Sequence, residues 1–261
     1  MKVGVLGSGD GGCAVALDWA WAGHEVALFD LEAFPENLEA VASAGGIYAE
    51  GQMQGFAEVA YAGHDIRRVV DGAELIFAVG PAYSTRPFAD ACKGHLEPGQ
   101  TVVVCPGSCG GAVVMKQALG LDLQSDAVLV AETSTLPYAV RLTEPGRIHV
   151  YLRLAGGVLL AALPGRLTGD VLALTRDVYP MLTPARNVLQ TSLQNANPVI
   201  HPAVTLLNTG RIERTGGEFC FYEDGVTPAV GRLMEAVDRE RIAGGTKLGL
   251  EILPDPVIGV R

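Results

Sequence analysis

At 261 residues, 49% hydrophobic and 18% charged, the chain has an ordinary globular composition and is long enough for one large domain or two modest ones. Nineteen basic residues against 29 acidic ones leave a net charge of −10; that balance repels polyanions, no basic run offsets it, and nucleic acid is not an expected partner. The longest apolar run, 154–163, contains two glycines and spans ten residues, about half of the ~20 that a bilayer-spanning helix requires, so no membrane span is expected.

The chain enters a strand pattern at once, Met1-Lys2-Val3-Gly4-Val5-Leu6-Gly7, with nothing resembling a signal peptide. Its cysteines (Cys13, Cys92, Cys105, Cys109 and Cys220) are odd in number and scattered, which suits reduced thiols, and a cytoplasmic protein is expected. Cys105 and Cys109 lack the spacing of the common metal and redox motifs, so no metal site is expected.

Lys2–Leu6 reads as a strand, Gly7-Ser8-Gly9-Asp10-Gly11-Gly12 as a glycine loop and 13–21 as a helix; a second apolar run, Glu25–Phe29, ends at Asp30, eighteen positions after Gly12. A lone G-x-G-x-x-G is weak evidence, but the strand before it, the helix after it and the acid at the next strand end complete the dinucleotide fingerprint. Gly7 permits the tight turn, Gly9 lets the backbone approach a pyrophosphate, and Gly12 lets helix and strand pack closely. Ser8, Asp10 and Gly11 fill out the loop, and the helix start offers unpaired N–H groups to phosphate. Asp30 is expected to accept hydrogen bonds from the adenosine ribose. A 2′-phosphate at ~4 Å would cost roughly 4 kcal/mol at an effective dielectric near 20, so NAD is favoured over NADP unless a remote cation such as Arg67 or Arg68 folds back.

Further strands are expected to end at Val79, Val104 and Ala131, with helices over 87–95 and 112–119. In an open parallel sheet the ligand lies beyond the carboxyl ends of the strands, which places Pro81 and Ala82 beside the cofactor and makes the loop from Glu132 and Thr133 to Tyr138 a candidate lining. Plainer readings stand beside these: Pro81 and Pro106 as turn formers, Thr133 and Ser134 as backbone caps. A helical stretch over 169–178 closes at Pro180 and Pro184, where the alternation of strand and helix stops. The chain is therefore read as α/β, a Rossmann dinucleotide-binding domain over 1–184 followed by a mainly α-helical domain over 185–261. In the latter, 189–207 and 227–248 read as helices and 211–222 as an irregular connector.

The segment Ser192-Leu-Gln-Asn-Ala-Asn197-Pro198-Val-Ile-His201-Pro202-Ala-Val-Thr-Leu-Leu-Asn208-Thr-Gly210 resembles the helical domain of the opine dehydrogenases of octopine and nopaline type. The likeness continues through Phe221-Tyr222-Glu223-Asp224-Gly225 and Asp238-Arg239-Glu240-Arg241, and the stretch Ala131-Glu132-Thr133-Ser134-Thr135-Leu136-Pro137-Tyr138 resembles a loop of the same family. What the resemblance implies is NADH-dependent reductive condensation of a 2-oxo acid such as pyruvate with the amine of an amino acid, and the reverse oxidation, by a homodimer paired through its helical domain. The family's acid/base histidine falls on His201, with Glu132, Thr133 and Asn197 beside the substrate. Imidazole suits proton transfer near neutral pH, and Asn197, four positions earlier, shares a face with His201 if the stretch is helical. Pro198 and Pro202 either set the helix start at Asn197 or kink a longer helix. Without the resemblance, a lone histidine beside prolines reads as structural. Family members continue past the position of Arg261, with the acidic partner of the histidine in that later segment. The helical domain is thus expected to be incomplete relative to the family, and Asp255, in a proline-flanked loop, is not the expected partner. Two other functions fit the residues: direct NAD-dependent reduction of an oxo acid, and a non-catalytic nicotinamide-binding protein.

Overall fold

The computed structural model describes residues 1–254, so Asp255 lies outside the described residues. Contacts divide the chain into two compact units, Met1–Ser192 and the residues from Leu193 onward.

The first unit opens with β1 (Lys2–Leu6), α1 (Asp10–Trp21), β2 (Glu25–Phe29) and α2 (Pro35–Ala44). Next come β3 (Gly46–Gly51), β4 (Gly55–Glu58), β5 (Tyr61–Gly63), α3 (Ile66–Val70) and β6 (Leu75–Ala78). A 3-10 turn, Ala82–Ser84, leads into α4 (Thr85–Cys92), β7 (Thr101–Val104), α5 (Gly111–Leu119) and β8 (Leu129–Thr133). The unit is completed by β9 (Tyr138–Glu144), β10 (Arg147–Arg153), β11 (Val158–Leu163), α6 (Thr168–Thr175), β12 (Leu182–Pro184) and most of α7 (Val188–Gln194).

Eight strands form one sheet in the order β12-β11-β8-β7-β6-β1-β2-β5, parallel throughout except where β11 runs against β8. Side chains alternate faces along each strand. Val3, Val5, Leu28 and Phe77 therefore pack on one side with Trp19 of α1. Leu6, Ala27, Phe29 and Ile76 pack on the other with Phe88 of α4 and Met115 of α5. Burial on both faces explains why these strands read as continuous apolar runs rather than as alternating ones. It also explains the short strand lengths, since each turn leads at once to a covering helix. Pro184 is tolerated because β12 is an edge strand, where a missing N–H costs no ladder bond.

A second sheet of four strands, β4-β3-β10-β9, packs Ile47, Ala49, Val140, Ile148 and Val150 into the same core as α1. It was not foreseen: β10 pairs with β3 from a distant part of the chain, and the alternation within each strand is broken by polar and glycine positions. A buried polar junction pins it to α1. The Tyr138 hydroxyl donates to Asp18 Oδ2 at 2.6 Å, Arg153 Nε donates to the same oxygen at 2.7 Å, and the Tyr138 and Tyr179 hydroxyls share a hydrogen bond of 2.8 Å.

In the second unit the chain forms the end of α7, then α8 (Asn197–Leu207), α9 (Thr209–Arg214) and α10 (Pro228–Lys247). Val199, Ile200 and Val204 of α8 close over Val230 and Met234 of α10. Thr227 caps α10 by accepting from Val230 N at 3.3 Å, one of the orphan donors of a helix start. Two expectations are corrected here. The helix read over 189–207 breaks at Asn195 and Ala196, where Asn195 Oδ1 turns back to accept from Asn197 N at 3.0 Å; and the connector begins with a helical turn, α9, rather than being irregular throughout. The α/β class with a C-terminal helical part is as expected. The unit division falls later than the expected 184/185 boundary because α7 is bonded to β8 through Thr191 and Ser192. Among the described residues, no helix is long and apolar enough to cross a membrane.

Candidate active site

Between β1 and β6 the strand order reverses direction, the position at which open α/β sheets bind ligands. A cleft of about 400 Å³ opens there, lined by Gly7, Ser8, Gly9, Asp30 and, from the strand-end loop opposite, Gly80 and Pro81. Gly7 holds φ +107°, a conformation that side chains disfavour, and a Cβ there would stand 2.0 Å from the Val79 carbonyl oxygen. A Cβ on Gly12 would lie 1.8 Å from Gly7 O, whereas one on Gly9 would meet no atom within 4 Å. Gly7 and Gly12 are thus required by the protein's own backbone. Gly9 has space before it, and it is the N-cap of α1 without a side-chain cap. The open approach and the uncapped helix start together fit a dinucleotide pyrophosphate.

Asp30 is 6% exposed. Its Oδ2 accepts from Ser8 N at 2.6 Å and Ser8 Oγ at 2.7 Å, and Oδ1 accepts from Leu31 N at 2.8 Å. A carboxylate offers about four acceptor positions, so about one is left for a ribose hydroxyl, and much of the role of Asp30 is to hold the glycine loop. Asp10 is not among the lining residues: its Oδ1 accepts from Leu142 N at 2.6 Å, tying α1 to β9. Gly11 faces Leu136 and Val79. Ala82, expected beside the cofactor, starts the 3-10 turn and is not among the lining residues; its neighbour Tyr83 is. The sequence reading also missed Phe34, Glu36, Asn37 and Leu142, all of which line the cleft. Phe34, Glu36 and Asn37 follow Asp30 closely enough to have been suspected, but Leu142 comes from the unforeseen sheet. Arg67 and Arg68 do not line it, and Arg68 lies over the Tyr61 ring at 4.0 Å.

Glu132 and Thr133 end β8, 0% and 2% exposed. The Glu132 carboxylate is engaged by three donors of the protein: Oε2 accepts from Ala112 N at 2.8 Å, at the start of α5, while Oε1 accepts from Thr191 Oγ1 at 2.6 Å and Ser192 Oγ at 3.0 Å. Burial pushes its pKa above the ordinary carboxylate range, and these bonds pull it part of the way back. A substrate role for Glu132 would require exchanging those partners. The geometry instead makes it a joint between α5, β8 and α7, a role that Thr191 and Ser192 gave no motif to announce.

In the second unit α8 starts at Asn197, with Pro198 in its first turn and Pro202 inside, so the first alternative for the prolines holds. His201 is one turn after Asn197, on the same side of the helix. Its imidazole is partly exposed, with Nε2 3.5 Å from the Tyr222 hydroxyl and its ring set edge-on to Phe221 at 5.4 Å. Partial burial lowers its pKa below the ordinary 6.5, and among the described residues no carboxylate bonds it.

A parallel sheet with a glycine-lined cleft at its reversal point, followed by a helical unit presenting a histidine, defines the class: a Rossmann-type dinucleotide-binding protein with a C-terminal helical part. Residues 184–257 match the family model described as NAD/NADP octopine/nopaline dehydrogenase, alpha-helical domain. Over 240 residues, 92% of the chain and 66% of the relative, it is 36% identical to the opine dehydrogenase of Arthrobacter sp. (strain 1C). The chain superposes on octopine dehydrogenase solved with NADH and pyruvate with a TM-score of 0.75 at 21% identity, covering 94% of this chain and 65% of that one. It superposes on yersinopine dehydrogenase with a TM-score of 0.78 at 16% identity, covering 97% and 65%. This chain belongs to the opine dehydrogenase family, and it spans about two thirds of the length of these relatives.

Proposed function

We propose that this chain carries the cofactor cleft and the acid/base histidine of an NADH-dependent opine dehydrogenase, joining a 2-oxo acid such as pyruvate to the amine of an amino acid and catalysing the reverse oxidation. The observation that carries the reading is the union, in one chain, of the open Gly9 loop with an exposed histidine inside the segment that matches the family's helical domain. Bound reduced nicotinamide supplies the hydride. The chain's own residues do the rest. The N–H groups at the start of α1 hold the pyrophosphate, and the remaining acceptor position of Asp30 takes a ribose hydroxyl. His201, neutral at physiological pH because burial lowers its pKa, accepts the ammonium proton so that the free amine attacks the carbonyl. It then holds that proton for the departing water. Asn197 orients substrate from the same helix face.

Localisation in the cytoplasm is supported by the free state of all five cysteines, and a homodimer by the apolar side chains that the helical unit exposes, among them Leu206 at 71% and Leu207 at 56%. The test is NADH oxidation with pyruvate, with and without a mixture of amino acids. Oxidation that needs both substrates supports the reading. Oxidation by the oxo acid alone replaces it with direct reduction, and tight NADH binding without turnover on any combination replaces it with a non-catalytic role.

A further inference from the structure

Three carboxylates border the groove that would receive the adenosine end of the cofactor. Asp30 and Glu36 line the main cleft, and Glu36 and Glu144 line a shallower extension of about 260 Å³. They are not equivalent. Asp30 is buried and most of its acceptor positions are taken by Ser8 and Leu31. Glu144 lies 3.6 Å from Arg147 Nε, so a cation stands beside its charge. Glu36 is exposed, and among the described residues it has no ion pair. None of the described residues that line the cleft or its extension is a lysine, arginine or histidine. The nearby cations are engaged elsewhere: Arg141 faces Asp10 at 3.7 Å, and His64 bonds the backbone carbonyl of Asp30 at 2.8 Å.

From this arrangement we infer that Glu36 is a determinant of cofactor choice, adding its charge to that of Asp30 in excluding a dinucleotide with a 2′-phosphate. The inference rests on the cofactor reading above. One influence opposes it. Glu36 stands in the first turn of α2, which has no side-chain cap at Phe34, and a bare helix start carries about half a positive charge that would welcome phosphate. A full carboxylate in that turn outweighs it and reverses the sign of the local field. An acid at the end of β2 is what a sequence reading notices. Here that acid is turned inward, and a second carboxylate without an ion pair among the described residues is set on the following helix.

The test is equilibrium titration of the full chain with NADH and with NADPH, read by calorimetry, for wild type, Glu36→Gln and Glu36→Arg. Because Glu36 is exposed, the variants should fold as wild type does, and matched thermal melts check this. NADPH is expected to bind about tenfold more tightly to Glu36→Gln than to wild type, the effect of one charge pair near a solvated surface, and more tightly still to Glu36→Arg, in both variants a larger change than that in NADH affinity. Rising salt should shrink the wild-type penalty for NADPH and leave that of Glu36→Gln nearly constant. NADPH affinity unchanged in both variants, with NADH still bound, overturns the role of Glu36 and leaves the cofactor reading standing. Failure of wild type to bind either dinucleotide overturns both.

Discussion

His201 and Glu132 are both titratable, both shifted by burial, and shifted toward opposite consequences. The His201 imidazole is held below its ordinary 6.5, so the base form persists to lower pH. The acid limb of the kcat/KM profile is therefore expected below pH 6.5, and His201→Asn should lower turnover by ~10²-fold to 10⁴-fold while NADH affinity measured by titration stays the same. A normal rate in His201→Asn would remove the residue from the mechanism. Glu132 has a raised pKa, so the native carboxyl holds its proton more tightly than the unfolded chain does. Its contribution to stability is then present in full below the ordinary value of 4.5 and is lost as pH rises through the native value. Glu132→Gln has no charge to bury and is expected to flatten that part of the Tm-against-pH curve; parallel curves for wild type and variant would contradict the argument.

The glycine loop and the Tyr138 junction show how elements hold one another. Gly12→Ala places a methyl 1.8 Å from Gly7 O, so α1 must move off β1 and Tm should fall, whereas Gly9→Ala meets nothing within 4 Å and should melt like wild type. The same Gly9→Ala is nevertheless expected to lose NADH affinity, since the methyl occupies the space through which the pyrophosphate reaches the backbone. An alanine at position 9 that binds NADH normally would show that the cofactor lies elsewhere. Tyr138→Phe removes the hydroxyl shared by Asp18 and Tyr179 and leaves the partly buried Asp18 carboxylate with one donor fewer. About 1–3 kcal/mol of destabilisation is expected, measurable by urea unfolding, because this junction is one of the polar ties between the second sheet and α1.

At the scale of the molecule, the two units differ in what their sequence reveals. The five central parallel strands, β1, β2, β6, β7 and β8, were legible because their signals are local: each is a short apolar run, and the glycines of the loop have fixed spacing to Asp30; β5, β11 and β12 of the same sheet were not foreseen. The four-stranded sheet was not, because β3 and β10 find each other only across the folded chain and neither carries a strong pattern alone. The same division holds for the sites. The positions of Gly7 and Gly12 followed from the motif, since a turn and a close packing that need glycine restrict residue type directly, while His201 was singled out by resemblance. What Asp30, Asp10 and Glu132 do with their charges could not be read that way. A carboxylate serves whichever donors lie within about 3 Å, and here those are Ser8, Leu142, Ala112 and Thr191, brought up by packing. The amino-acid order was enough to specify the fold class, the cofactor loop and the candidate base. Which acids face a ligand and which face the protein was decided by tertiary structure, because hydrogen-bond partners are set by distance in space rather than by separation along the chain.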